Sequence, residues 1–310
     1  MTGLLPHNHG VLQVEHCVDD DQSVLRLDKE HWAQRLAAEG YRTGYFGKWH
    51  IERSNSLDAF GWQTDRGWRS EAYAQAVDRL PAADESSLIP DLTGYQEGAE
   101  GYRPHLHHGV TTLAPEEREV SVPVDLALPY LDEVLGGEAP WACCVSFQEP
   151  NESLVCSKET FRQYEPSGIA LPENLTDNLS GGPAVYRRYA QAWAGMSRDD
   201  WRRAAACYYA RITEVDAQLG RLLAHVSQAG ELENTVVIVT SDHGRYLGAH
   251  GMDGHNYGAF EEIYNIPLLV SGSGIAAGEV TDARVGLHDL CPTILDLADV
   301  GGEKATDSYS

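Results

Sequence analysis

The run Thr235–Thr240 (TVVIVT) is a continuous β-branched stretch with no polar alternation, the mark of a strand buried on both faces. Ile266–Ser271 and Trp141–Phe147 (WACCVSF) read the same way, and Thr43–Gly47 reads as a shorter strand. Between these runs the period changes from a strand's to a helix's. Asp28–Glu39 reads as a helix capped by Asp28 and ended by Gly40, with Trp32 and Leu36 on one face. Val124–Leu135 and His288–Val300 read as helices too. Arg202–Ala229 is the clearest: Ile212, Val215, Leu219, Leu222 and Val226 recur at spacings of three and four, and Gly230 stops it. Strands alternating with helices predict an α/β fold, a mostly parallel sheet sandwiched by helices.

The 310 residues form a single domain on this reading, with irregular insertions expected at about 55–119 and 152–197, where Gly, Pro and polar residues break the periodicity. In open parallel sheets, ligands bind beyond the carboxyl ends of the strands. Three polar loops fall there: Lys48–His50, Gln148–Asn151 and Asp242–Gly244.

The formal charge of −24 repels nucleic acid and anionic lipid. It serves solubility or a salt-adapted host, and an anionic ligand needs a local cation or metal to reverse the field. No run reaches the roughly 18 apolar residues of a bilayer span. Met1–Gly10 lacks the basic start and apolar core of a signal peptide. The six cysteines form no C-x-x-C pair. Most of them read as buried thiols in a reducing compartment, which leans toward the cytoplasm without fixing it, with Cys143 and Cys144 on opposite sides of a strand. Asn151-Glu152-Ser153 and Asn174-Leu175-Thr176 match glycosylation acceptors, but nothing else in the sequence marks secretion.

Asp242 and His243, just past a buried strand, are placed to bind a divalent cation, with the oxygen of Asp242 the better donor for a hard ion. The alternative is a turn in which Asp242 caps the next element. Lys48 and His50, two residues apart in an extended segment, point the same way and fit one oxyanion: Lys48 supplies fixed charge and His50 a proton for a leaving oxygen. A surface lysine beside a packed histidine is the other reading. His250 and His255 lie in a glycine-rich loop suited to substrate contact or to plain surface. His105, His107 and His108 lack cysteine or acidic neighbours in sequence, which weakens a zinc reading.

These segments together resemble the sulfatase family of the alkaline phosphatase superfamily. Leu36–His50 (LAAEGYRTGYFGKWH) is similar to that family's L-x-x-x-G-Y-x-T-x-x-x-G-K-W-H segment. Thr235–Gly251 (TVVIVTSDHGRYLGAHG) is similar to its T-x-V-I-x-T-S-D-H/N-G-x-x-x-G-x-H-G segment. Glu261–Ile275 and Val285–Leu297 match two further stretches in the right order. The resemblance implies that Lys48 and His50 contact the sulfate group, and that Asp242 and His243 are two ligands of a divalent cation. That cation is usually Ca²⁺, with Mg²⁺ or Mn²⁺ as alternatives.

The departures carry information of their own. The family's paired Asp ligands and its C-x-P-x-R or S-x-P-x-R, whose Cys or Ser becomes formylglycine, have no counterpart here. Met1–Gly10 matches only the piece that follows them, so the nucleophile is expected upstream of Met1. The chain is also expected to lack the smaller C-terminal subdomain, leaving the fold incomplete at both ends. Cys17 has neither the Pro nor the Arg of the motif. Asn151 stands where members commonly have a sulfate-contacting His, and it donates hydrogen bonds but transfers no proton. His255 falls near the place of a usual Lys. Asn151 and His255 are therefore the substrate-binding candidates. The expected activity is hydrolysis of a small-molecule or carbohydrate sulfate ester. A phosphonate monoester or phosphodiester hydrolase of the same superfamily is the alternative, and a non-catalytic fragment a third.

Overall fold

A computed structural model of the chain describes every residue except 14–21, 27, 55, 82–84, 98–102, 256–257, 302–306 and 308–310. Cys17 lies outside the described residues. The helices are α1 (Pro6–His9), α2 (Trp32–Ala38), α3 (Glu71–Val77), α4 (Val122–Val134), α5 (Lys158–Phe161), α6 (Ala184–Gln191), α7 (Arg198–Gln228), α8 (Glu261–Tyr264) and α9 (Leu290–Leu297). The strands are β1 (Arg42–Gly47), β2 (Thr64–Gly67), β3 (Gly94–Gln96), β4 (His105–Thr111), β5 (Trp141–Ser146), β6 (Leu154–Ser157), β7 (Val237–Thr240) and β8 (Leu268–Ser271).

β1 lies between β2 and β5, parallel to both, so that Gly47 sits opposite Gly67 and Ser146. Alternation along these strands decides the layering. Tyr45 of β1 and Ala142 and Cys144 of β5 face α2 and α9, against Trp32, Leu36 and Leu295. Phe46 and Trp141, Cys143 and Val145 face the other way, against Tyr130 and Leu131 of α4 and Val226 of α7. The sheet is thus sandwiched by helices, and the two adjacent cysteines do point to opposite sides. Full burial of a side chain such as Phe46 contributes about 1.5–3 kcal/mol.

A second set, β3-β4-β6, pairs β4 with β6 in parallel and β3 with β4 antiparallel. It packs on α7 through Ala204, Ala206, Cys207 and Ala210, small side chains that let the helix sit close to Val110 and Cys156. Glu214 of α7 is buried and accepts from Arg118 Nη1 at 2.5 Å, Ser157 N at 2.7 Å and Thr160 Oγ1 at 2.7 Å. One carboxylate therefore ties α7 to both ends of the β6–α5 corner.

Several expectations shift. α2 begins at Trp32, because His31 accepts from Ala33 N while the side chain of Gln34 accepts from His31 N; Asp28 instead pairs with Lys29 at 3.1 Å. The 55–119 stretch, expected to be irregular, supplies β2, α3, β3 and β4, and 152–197 supplies β6, α5 and α6. β2, β3 and β6 have only three or four residues each, and the seven-residue β4 (HLHHGVT) is polar and buried without alternation, so no strand period is visible in them. β7 is only half-buried, and Leu269 of β8 is 61% exposed. The two strands pair antiparallel with each other. They border a cavity of about 1750 Å³, lined by Val236, Ile238 and Val239 on one side and Cys143 and Val145 of β5 on another. The predicted apolar face of α7 divides: Ile212, Val215 and Leu219 look into this cavity, while Leu222 and Val226 pack beneath β5. No helix among the described residues is long and apolar enough to cross a membrane.

Candidate active site

The cavity opens where β1, β5 and β7 end. Gly47 takes φ 95°, and a side chain there would run into the carbonyl of Ser146 and the ring of Pro123. The chain turns at this point and delivers Lys48, which is 7% exposed and whose N–H donates to Ser146 O at 2.9 Å. Buried Trp49 and Tyr45 fix the turn: Trp49 Nε1 donates to Glu52 Oε1 at 3.2 Å and Tyr45 OH donates to Lys48 O at 2.5 Å. His50 is exposed, with its ring 5.7 Å from that of Trp68 at the end of β2.

At the end of β7, Ser241 Oγ donates to His243 O at 2.7 Å, closing a tight turn around Asp242. Gly244 follows, and a side chain at this position would strike the carbonyl of Glu262. Asp242 Oδ2 stands 3.5 Å from Lys48 Nζ. Burial works to raise the Asp242 pKa, but Lys48 and His243 outweigh it and hold the carboxyl below its usual range. His243 Nδ1 donates to Gly244 O at 2.9 Å, which leaves Nε2 as a lone-pair donor 3.6 Å from Asp242 Oδ1. A carboxylate and an imidazole nitrogen so converged fit two positions of a cation's coordination sphere. Among the described residues no group of three or more His, Cys, Asp or Glu is placed to hold a metal ion.

Lys48, His50, Asn151, Asp242 and His243 all line the one cavity. His255 is not among the lining residues. It lies flat against His243, ring centroids 3.8 Å apart and planes 7° from parallel, and reaches the site through that ring. Burial, then the neighbouring His243, push the His255 pKa down to about 4. Of the His105–His108 segment, His107 has an acidic partner after all: buried in β4, it donates from Nε2 to Asp253 Oδ2 at 2.6 Å.

Sequence reasoning missed a hub beside this cavity. Arg245 donates from Nη2 to Asp253 Oδ2 at 2.7 Å and from Nη1 to Glu152 Oε2 at 2.8 Å. Asp253 is completely buried, and burial alone would raise its pKa; Arg245 and His107 reverse this and hold it far below the usual range. An Arg immediately after Asp242-His243-Gly244 was the available signal. Asp253 and Glu152 come from two other segments, and His107, which binds Asp253, from a third, so nothing local announces the network.

The fold built around this site is shared by solved phosphonate monoester hydrolases and sulfatases. Residues 1–300 match the sulfatase family model, and the chain belongs to that family. It is 34% identical over 305 residues to arylsulfatase K of Canis lupus familiaris, covering 95% of this chain and 54% of that protein. Among solved structures, the phosphonate monoester hydrolase of Silicibacter pomeroyi superposes with a TM-score of 0.77 at 21% identity, over 100% of this chain and 64% of that one. BT4656, solved with its substrate D-glucosamine-2-N,6-O-disulfate, superposes with a TM-score of 0.68 at 19% identity, over 100% of this chain and 67% of that one. The chain spans about half the length of the curated relatives it matches.

Proposed function

We propose that this chain is part of a metal-dependent sulfuric ester hydrolase acting on a small-molecule or carbohydrate sulfate. The observation that carries the reading is the meeting of Lys48 with Asp242 at 3.5 Å, two residues from distant family motifs brought to one cavity mouth. Lys48 offers the permanent cation for a sulfate oxygen and His50 the proton for the departing alcohol. Asn151 adds a hydrogen-bond donor. Asp242 and His243 would hold the divalent cation, most plainly Ca²⁺, which supplies charge stabilisation when bound. No residue of the 310 lies in a C-x-P-x-R or S-x-P-x-R context, so the formylglycine nucleophile is proposed to come from outside them. BT4656, with its disulfated sugar, supports a carbohydrate substrate.

The same donors suit a phosphonate or phosphodiester, and the neighbour from Silicibacter pomeroyi favours that as the second reading. The deciding experiment uses the longer protein that carries this segment. It is assayed against an aryl sulfate and an aryl phosphonate ester, with Ca²⁺, Mg²⁺ and Mn²⁺. Sulfate turnover that disappears together with bound metal in Asp242→Ala is the expected result. Unchanged metal content and turnover in that variant would remove the assignment.

A further inference from the structure

Asn151 is useful to an anion only if its amide nitrogen, not its amide oxygen, faces the ligand. Its neighbour Glu152 is a carboxylate, 48% exposed, that repels any anion brought near. Both problems meet at one side chain. Arg245 Nη1 lies 2.8 Å from Glu152 Oε2 and 3.4 Å from Asn151 Oδ1. The second distance is long for a hydrogen bond. A guanidinium has donors only, however, so whatever approaches it does so oxygen first. The fork itself cannot swing away. Its Nη2 is held by Asp253 Oδ2 at 2.7 Å, and Asp253 is in turn held by His107 Nε2 at 2.6 Å and by Leu247 N at 3.2 Å. The Arg245 side chain is 5% exposed, so these contacts are little screened by water.

We propose that Arg245 is a positioning residue: it draws Glu152 back from the cavity and turns the amide nitrogen of Asn151 toward a bound tetrahedral oxyanion. The inference rests on the anion-ester reading of the site and adds a residue that determines how the anion is held. A site so arranged reads the anion by hydrogen-bond donation at Asn151, with no ionisation there. A lysine does not replace this function, because one ammonium cannot span Asp253, Glu152 and Asn151 in a planar fork.

The test is binding of inorganic sulfate, and separately phosphate, by calorimetric titration of the protein carrying Asn151→Ala, Arg245→Met, both changes, or Arg245→Lys, with melting temperature followed in parallel. Each single change to Ala or Met is expected to weaken binding by about tenfold, and the double variant to bind no more weakly than Asn151→Ala alone, since coupled residues fail to add. Arg245→Lys is expected to keep most of the melting temperature without recovering affinity. Should Arg245→Met fail to fold, Arg245→Lys and Asn151→Asp decide: both are expected to fold and to lose sulfate. Additive losses, full affinity in Arg245→Lys, or a wild-type protein that binds neither anion would overturn the proposal. Anion binding that follows this pattern in a protein without ester turnover supports the role of Arg245 and removes the hydrolase reading.

Discussion

Lys48 is the residue on which the anion reading bears most heavily. It is buried at the end of β1 in a chain of net charge −24, and the nearest carboxylate the structure gives it is Asp242. In a protein that joins this segment to the proposed nucleophile, Lys48→Ala is expected to lower kcat/KM by about 10²-fold or more, measured with an aryl sulfate under saturating Ca²⁺. An unchanged value would show that Lys48 serves only the fold. Lys48, His50, Asp242 and His243 stood out as candidates because each pair is nearly contiguous and stands just beyond a strand, and the structure brings all four to the same cavity. The contacts among Arg245, Glu152 and Asp253 did not stand out, since they join segments that no local pattern connects. His255 also stood out as a candidate, but its stacking on His243 was not readable, since a stacked ring leaves no periodic trace.

At the scale of elements, apolar strands and periodic helices were readable, and polar strands and the shortest elements were not. β1, β5 and α7 carry enough residues to display a period, whereas β2 and β6, of four residues each, do not. β4 is instructive because it holds the buried pair His107 and His108 in a strand that the sequence presented as loop. Burial, reinforced by His107, lowers the His108 pKa to about 4 from an ordinary 6.5. The folded state therefore binds fewer protons than the unfolded state between those values. The corresponding stability is complete above pH 6.5 and is lost as pH falls toward 4, a contribution on the order of 3 kcal/mol. Urea unfolding at pH 7 and pH 4.5 is expected to show this acid loss in the wild type and a smaller loss in His108→Asn. Equal losses would place the acid sensitivity elsewhere.

For the molecule as a whole, charge dominates. A net −24 over 310 residues opposes the compact state through self-repulsion, and the buried pairs Arg118–Glu214 and Arg245–Asp253 are local exceptions to that background. Raising salt from about 0.1 M, where charges are screened over about 10 Å, to about 1 M should therefore raise the melting temperature followed by circular dichroism. A flat or falling melting temperature would mean that attractive pairs, not repulsion, set the balance. The class of fold was legible because alternating α and β periods leave few architectures. The cavity between β5 and β7 was not, because an apolar run reads as buried whether another strand or open space adjoins it.

The Lys48–Asp242 contact also sets a rule for how two ligands share the site. Asp242 Oδ2, 3.5 Å from Lys48 Nζ, cannot serve the ammonium and a cation equally well. A cation drawn to Asp242 leaves Lys48 short of counter-charge, and an oxyanion on Lys48 makes good that deficit. Conversely, an oxyanion already on Lys48 releases Asp242. On the proposed reading each ligand is expected to raise the affinity for the other, and by thermodynamic linkage the two enhancement factors are equal. Calorimetric titration of sulfate with and without Ca²⁺, and of Ca²⁺ with and without sulfate, should return the same factor, greater than one; independent binding would mean that Lys48 and the cation do not compete for Asp242.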